Sequence, residues 1–290
     1  MRIQQCDNNY IHSMVTMPSS SKEQNTILAY EIENGDISLQ NCIIMTHEAD
    51  VIARIVIDFN YHYLTYFTIG NISQKEIDVF MKYVISLLQN NHEWMIDLFS
   101  DKVHFHKIRQ AIQRFFQIEI LRESYIIKPR ERNTSIYDFR SATNMHPETL
   151  LNLMIHARES TLDYTLQRAF AQSSLEDSTK DTMQKWMEDN EHSDLFQVLW
   201  IDDIPVGYIC LIKCMKGIYA THGIGVDATY QGHAYSSILL DKAIDLAYHK
   251  HAYKLIGEID KHNHPMRINL LRCGFHLDCE QHIFIREKYM

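Results

Sequence analysis

The chain has 290 residues, of which 46% are apolar and 22% charged, a composition typical of a globular α/β protein. Its formal charge of −9 and its lack of a long basic block argue against a nucleic-acid partner. No run approaches the roughly 18 apolar residues of a membrane span. The six cysteines are scattered and the N-terminus has no apolar signal core, so we predict a cytoplasmic protein without a membrane partner. The 17 histidines form no zinc-binding spacing, so we expect no metal.

The first half of the chain shows strand and helix periodicities in a definite order. In chain order, the pattern predicts strands at 42–45, 51–57 and 63–69, a helix at 75–88, a strand at 95–99, a helix at 103–116 and a strand at 118–127. Residues 128–135 are polar and carry a proline, which predicts an exposed linker.

The second half repeats this order. Its pattern predicts strands at 197–201, 206–212 and 218–226, a helix at 235–249, a strand at 254–259, a helix at 265–273 and a strand at 276–286. Two halves with one element order predict two tandem α/β domains, each a mixed central sheet flanked by helices. We place them at 1–127 and 136–290.

The two halves differ between the third strand and the long helix. The second half has the turn 227–234 there, whereas the first half has only 71–74. A tight strand-to-helix turn presents unpaired N–H groups at the positive end of a helix, which is a favourable site for phosphate. The alternative is a helix capped by Ser236 or Ser237 without any ligand.

The second half resembles the GCN5-related N-acetyltransferases (GNATs) at two motifs. Val226, Tyr230 and Gln231 match the family's acetyl-CoA signature in place and spacing, with Ala234 where glycine is usual. Downstream, Asn263 and the pair Gly274-Phe275 match the strand–Asn–helix motif. This resemblance covers about 136–290 and implies two acyl-CoA N-acyltransferase-like domains.

The resemblance also implies acetyl-CoA, or a related acyl-CoA, as co-substrate. The strand edge at Ile224 and Val226 would pair with the pantetheine arm, and Asn263 would lie beside that arm or the acyl pocket. The turn and the first helical turn would hold the pyrophosphate through Gln231, Gly232, His233, Ala234, Tyr235, Ser236 and Ser237.

Two departures from the family concern catalysis. Leu270 stands where a tyrosine often serves as general acid, and Ala220 stands where many relatives carry a catalytic carboxylate. His222 lies on the same side of the strand as Ala220 and is a candidate general base. Glu258, on the facing strand, is the other candidate.

The first half lacks the phosphate turn, so we interpret it as a degenerate, non-catalytic copy. Substrate recognition is expected from 146–190, where acidic residues favour a cationic amine. Our leading hypothesis is acetyl transfer to an amine of a small molecule. The alternatives are a CoA-binding sensor or regulatory protein with little catalysis, and a purely structural pair of domains. The sequence leaves open whether the chain forms a homodimer.

Overall fold

The computed structural model describes residues 1–18, 22–190 and 192–288, which fold into two compact units. The first unit comprises Met1–Leu121 together with Cys279–Met290, and the second comprises Arg122–Asp278. No helix within the described ranges is both long enough and apolar enough to span a membrane.

The first unit is a mixed sheet with helices packed on it. Along the sheet the strands follow the order β1-β2-β3-β4-β5-β12, with β4 and β5 parallel. Its elements are β1 (Arg2–Gln5), α1 (Ile11–Val15), α2 (Lys22–Glu33), β2 (Cys42–His47), β3 (Asp50–Asp58), β4 (Tyr63–Ile69), α3 (Gln74–Leu87), β5 (Trp94–Phe99), α4 (Phe105–Ile112) and most of β12 (His276–Arg286). Phe67 of β4 and Phe80 of α3 are fully buried in its core, with ring centroids 6.0 Å apart.

The second unit has the same kind of sheet, in the order β6-β11-β10-β9-β8-β7. Its elements are residues 122–127 of β6 (Ile118–Ile127), β7 (Asp138–Ser141), α5 (Pro147–Arg158), α6 (Tyr164–Gln172), α7 (Leu175–Asp189), β8 (Phe196–Ile201), β9 (Ile204–Met215), β10 (Ile218–Val226), α8 (Tyr235–His249), β11 (Lys254–Asp260) and α9 (His264–Cys273). Helices α8 and α9 cover one face of the sheet, whereas α5 and α7 cover the other. The predicted fold class, two tandem domains of this type, is confirmed.

The units do not coincide with the predicted domains 1–127 and 136–290. Residues 122–127 of β6 pair with β11 in the second unit, and residues 281–286 of β12 pair with β5 in the first. Local periodicity identified both strands but carries no information about the partner of a terminal strand. The division of the chain by function stays a prediction.

The predicted linker 128–135 lies inside the second unit and is anchored to α8. The buried carboxylate of Asp245 accepts hydrogen bonds from the Arg132 N–H and the Thr134 hydroxyl, both at 3.1 Å. A buried carboxylate requires such donors. The segment is therefore packed against α8, although its composition is typical of an exposed linker.

In the first unit, helix α3 begins with a complete capping box. The hydroxyl oxygen of Ser73 accepts from the Glu76 N–H at 3.3 Å, and the Glu76 carboxylate accepts from the Ser73 N–H at 2.6 Å. The reciprocal bonds satisfy two of the N–H groups that a helix start leaves unpaired. The end of this helix is thus occupied by its own side chains.

We expect Ser73→Ala to lower the free energy of unfolding by about 1 kcal/mol, because it removes the cap of α3. Ser86→Ala, on an exposed face of the same helix, is the matched control, and its change should stay within about 0.5 kcal/mol. Urea unfolding of both variants measures the difference. Equal effects would show that the capping box does not stabilise α3.

Candidate functional site

Strands β10 and β11 diverge halfway along their length. They pair in parallel only from Ile218 to Ala220 on β10, opposite Lys254 to Ile256 on β11. Beyond this point β10 still pairs with β9, up to Val226 opposite Gly207. The edge of β10 that faces β11 is therefore released from pairing at the carboxyl ends of two parallel strands, where α/β sheets commonly bind ligands.

A bulge on β10 lies at the start of this divergence. Thr221 faces Leu211 and Gly223 faces the next residue of β9, Cys210, so His222 is the extra residue. The indole of Trp186 packs so closely against Gly223 that no Cβ fits there. Glycine at 223 thus permits the contact between α7 and the bulged strand, and the bulge re-aims the side chain of His222.

Two cavities occupy the divergence. The inner cavity, of about 450 Å³, lies between Thr221–Ile224 and Gly257–Asp260. The loop cavity, of about 560 Å³, lies between Ile224–Val226, the turn before α8, and α9. Both are lined by the same four residues, Thr161, Ile224, Asn263 and Met266. This shared wall makes the two cavities neighbours, arranged end to end along β10.

Asp227 fixes the start of the turn. Its buried carboxylate accepts from the N–H and the hydroxyl of Thr229, at 2.8 and 2.7 Å, and lies 3.1 Å from Nδ1 of His156. Burial alone would raise the pKa of this carboxyl, but the bonds from Thr229 and His156 outweigh burial and lower the pKa. Asp227 is therefore held as an anion that orders the turn.

Helix α8 begins without a side-chain cap. Its N-cap is Ala234, in the left-handed conformation with φ 61°, and neither predicted cap, Ser236 or Ser237, serves as one. Instead the Ser236 hydroxyl accepts from the Asn269 amide at 2.7 Å, and the Ser237 hydroxyl donates to the Asn269 amide oxygen at 3.3 Å. Both serines tie α8 to α9.

The turn consequently presents a run of available N–H groups. Within the described part of the chain, no acceptor bonds the backbone N–H groups of residues 231–236. The Gln231 side chain is bound in place by bonds to Ser160 at 2.9 Å and to the Val226 carbonyl at 3.2 Å. Unpaired N–H groups at the positive end of a 15-residue helix are suited to a phosphate or pyrophosphate.

The charge of the loop cavity favours an anion. No aspartate or glutamate lines it, whereas the exposed Arg272 on α9 does, and no described residue forms an ion pair with that arginine. This distribution contrasts with the net charge of −9 for the chain. Sequence reasoning missed Arg272 because only its position on α9, one turn after Asn269, brings it to the cavity.

His222 lies at the border between the inner cavity and a third cavity of about 440 Å³. Its imidazole packs on Trp186, with ring centroids 5.1 Å apart. Partial desolvation there, followed by the nearby charge of Lys185, lowers the pKa of His222 below its ordinary value of 6.5. The imidazole is therefore neutral near pH 7 and able to accept a proton.

The other predicted catalytic residue, Glu258, also lines the inner cavity. Leu270 lies in the wall of that cavity, fully buried, with its Cδ2 against Gly257. Tyr253 and His264, which could replace a tyrosine at 270 as proton donors, line neither cavity. The walls thus supply candidate proton acceptors but no side-chain acid at position 270.

All predicted site residues except two line the inner or loop cavity. The exceptions are Ser237, bonded to Asn269, and His233, whose Nδ1 lies 3.1 Å from the Gln231 carbonyl oxygen. Asn263 also caps α9, accepting from the Met266 N–H at 3.2 Å. The functional roles of these residues stay predictions.

The acidic residues predicted to favour a cationic substrate do not converge. Of that set only Asp163 lines the inner cavity, and it both caps α6 and pairs with Arg122 at 3.6 Å. Glu159 is exposed, and Asp177 bonds Ser174 at the start of α7. Residues 1–18, 22–190 and 192–288 contain no cluster of three or more His, Cys, Asp or Glu side chains suited to a metal ion.

Comparison with known families gives one match. The profile described as the acetyltransferase (GNAT) family matches residues 161–275, a range that includes the turn before α8 and also α9. A search of curated proteins found no significant match.

Several solved structures share the fold over the whole chain. A GCN5-related N-acetyltransferase from Sphaerobacter thermophilus has a TM-score of 0.69 at 10% identity, covering 100% of this chain and 96% of that one. A GNAT-family acetyltransferase from Colwellia psychrerythraea has a TM-score of 0.60 at 8% identity, covering 99% and 100%. A tandem GNAT protein from the clavulanic acid biosynthesis pathway has a TM-score of 0.56 at 9% identity, covering 100% and 99%.

We expect Ala234→Gly to raise the free energy of unfolding by about 0.5–1 kcal/mol. A left-handed backbone strains alanine, and glycine relieves that strain at some cost in unfolded-state entropy. Ala243→Gly, in the buried middle of α8, is the control and should be destabilising. Urea unfolding distinguishes the two, and a loss of stability in both variants would contradict a strained Ala234.

Proposed function

The chain is a member of the GCN5-related N-acetyltransferase superfamily, and we propose that its second unit transfers an acetyl or related acyl group from acyl-CoA to an amine of a small molecule. The observation that carries this proposal is the run of N–H groups at 231–236 that have no acceptor among the described residues, beside a cavity that Arg272 lines and no described carboxylate lines. A structural turn does not require this arrangement.

The residues present fit acyl-CoA. The N–H groups of 231–236 and Arg272 suit its pyrophosphate, and the released edge of β10 at Ile224 and Val226 suits the amides of its pantetheine arm. Asn263, between the two cavities, lies where that arm would pass to the inner cavity. When bound, acyl-CoA supplies a thioester that reacts with amines.

Transfer breaks the thioester C–S bond, forms an amide C–N bond, and requires a deprotonated amine. We assign proton acceptance to His222, whose lowered pKa keeps it neutral near pH 7, with Glu258 as the second candidate. Leu270 cannot protonate the departing thiolate, so we assign that proton to water. The walls of the inner cavity contribute mainly by holding the two reactants together.

One observation favours a second function, a CoA-binding sensor or regulatory protein. The wall position at which the family often has a tyrosine is a fully buried leucine. Binding of the nucleotide needs only the loop cavity, whereas turnover also needs proton donation at the inner cavity. The two functions therefore differ in thiol release and agree in acyl-CoA binding.

For the first unit we propose a structural role. The helix that corresponds to α8 is α3, where the Ser73–Glu76 capping box bonds the N–H groups of Ser73 and Glu76. A pyrophosphate would have to displace those bonds.

We expect Ser236→Asp to weaken acetyl-CoA binding at least tenfold without loss of protein stability. A carboxylate at the second residue of α8 repels the pyrophosphate but interacts favourably with the helix N-terminus. Lys75→Asp, at the second residue of α3, is the matched control and should bind acetyl-CoA as the wild type does. Isothermal titration calorimetry measures affinity, and thermal unfolding measures stability. Undiminished affinity in Ser236→Asp would place the pyrophosphate elsewhere.

We expect His222→Gln to lower kcat/KM for amine acetylation by about 10²–10⁴-fold with unchanged acetyl-CoA affinity. In the wild type, kcat/KM should rise with pH through a midpoint below 6.5, because only neutral imidazole accepts the proton and its pKa is lowered. That rise should disappear in the variant. The control is His276→Gln, at an exposed residue outside the cavities.

Thiol release with a panel of amines provides the measurement. Full activity and an unchanged pH profile in His222→Gln would exclude His222 as the base. Binding of acetyl-CoA without thiol release for any amine would favour the sensor.

A further inference from the structure

Arg158, the last residue of α5, is a buried cation in the wall of the inner cavity. Only 4% of the surface of Arg158 is exposed to solvent. Its Nη1 lies 3.4 Å from the Thr179 hydroxyl, and its Nε has no partner in the described chain. No carboxylate in the described residues forms an ion pair with Arg158. An arginine remains charged at any accessible pH, so this burial is costly unless a ligand supplies the anion.

Two other arginines of the chain have the hydrogen-bond partners that are typical of a structural role. Arg267 forms two bonds of 2.8 and 2.9 Å to the Glu123 carboxylate. Arg54 is fully buried without a carboxylate, but it donates to two carbonyls and to the Asn25 side chain. Arg158 has neither arrangement. Its partners among the described residues are one neutral hydroxyl and an aromatic ring, which leave its charge uncompensated.

Arg158 and the candidate base share one aromatic support. The guanidinium carbon of Arg158 lies 5.5 Å from the Trp186 ring centroid, and the imidazole centroid of His222 lies 5.1 Å from the same indole. Both residues line the inner cavity. Because both groups pack on one indole, the distance between the guanidinium carbon and the imidazole centroid is at most the sum of these two distances. One small molecule can therefore contact both groups.

The inner cavity contains a second polar atom without a partner. The Thr165 hydroxyl is buried and unbonded among the described residues, and Thr165 lines the same cavity. Buried polar groups are normally bonded in native proteins. Unpartnered groups from α5 and α6 around one cavity indicate that a polar ligand completes them.

The geometry points to an acceptor that carries a carboxylate besides its amine, with Arg158 binding the carboxylate and His222 facing the amine. This inference rests on the proposed function and names its substrate class. A planar carboxylate matches the donor fork of a guanidinium. The cavity also contains Glu258 and Asp260, which favour an ammonium group and disfavour a doubly charged phosphate, whereas its third carboxylate, Asp163, is paired with Arg122. Amino acids combine one carboxylate with one amine.

The test compares acceptors that differ only in the carboxylate. We expect thiol release from acetyl-CoA with L-amino acids to exceed that with the matching amino acid amides at least tenfold in kcat/KM. The comparison is conservative, because an amide carries a more acidic ammonium and so offers more neutral amine. O-phosphoethanolamine tests whether a phosphate can replace the carboxylate of the acceptor, and it should react no faster than the amides.

Substitution at Arg158 should remove the discrimination. In Arg158→Met the ratio of acid to amide should fall to about one, and Arg158→Lys should lie between this variant and the wild type. The control is Arg140→Met, because Arg140 also stacks on a tryptophan, with its guanidinium carbon 4.3 Å from the Trp200 centroid, but lines none of the three cavities. Its ratio should equal that of the wild type.

Thermal unfolding separates a ligand-binding arginine from a structural one. Removing a buried charge without a counterion should leave the melting temperature of Arg158→Met equal to or above that of the wild type. A large decrease in the melting temperature of Arg158→Met, together with no difference between acids and amides in the wild type, would overturn the inference.

A binding experiment keeps this inference separate from the proposed function. If the amides react as fast as the acids, acyl transfer stands and the role of Arg158 is overturned. If no amine reacts, the proposed transfer fails, and the Arg158 site is then tested with N-acetyl amino acids against N-acetyl amino acid amides, which require no chemistry. The carboxylate site is supported if the N-acetyl amino acids, but not their amides, raise the melting temperature of the wild type and this effect is lost in Arg158→Met. Equal effects of both probes contradict it.

Discussion

The divergence of β10 from β11 is the constraint on which the site depends. Parallel pairing stops at Ala220 and Ile256, and the bulge at His222 and the packing of Trp186 on Gly223 occur just beyond that point. A paired β11 would fill the space and satisfy the edge of β10. The lost strand-to-strand bonds leave both a cavity and a row of backbone groups for a ligand.

The start of the long helix distinguishes two units with one element order. In α3 the Ser73–Glu76 capping box bonds the N–H groups of Ser73 and Glu76, whereas α8 starts at a left-handed Ala234 and its first N–H groups have no acceptor among the described residues. The unsatisfied end costs stability that a capped end supplies. Such an end is available to an anion, as the proposed binding of acyl-CoA by the second unit requires.

The inner cavity also contains polar groups that lack partners among the described residues, but these groups belong to side chains. Arg158 is a buried charge whose described partners are all neutral, and the buried hydroxyl of Thr165 has no partner in the described part of the chain. Trp186 holds Arg158 and His222 on one indole. Unsatisfied groups therefore lie at both ends of the divergence, the backbone N–H groups where a pyrophosphate would bind and the guanidinium where an acceptor would bind. Between these ends lies Asn263.

The sequence by itself determined the order of the elements over 42–127 and 197–286, the long turn at 227–234 and the end of α9 at Gly274, because periodicity and turn chemistry are properties of neighbouring residues. Most of the candidate site residues named from the sequence line one of the two cavities. Only the tertiary structure decided that β6 and β12 pair as they do, that Ala234 is left-handed, and that Arg158 and Arg272 reach the cavities. These features depend on packing between segments far apart in the chain, for which local pattern carries no signal.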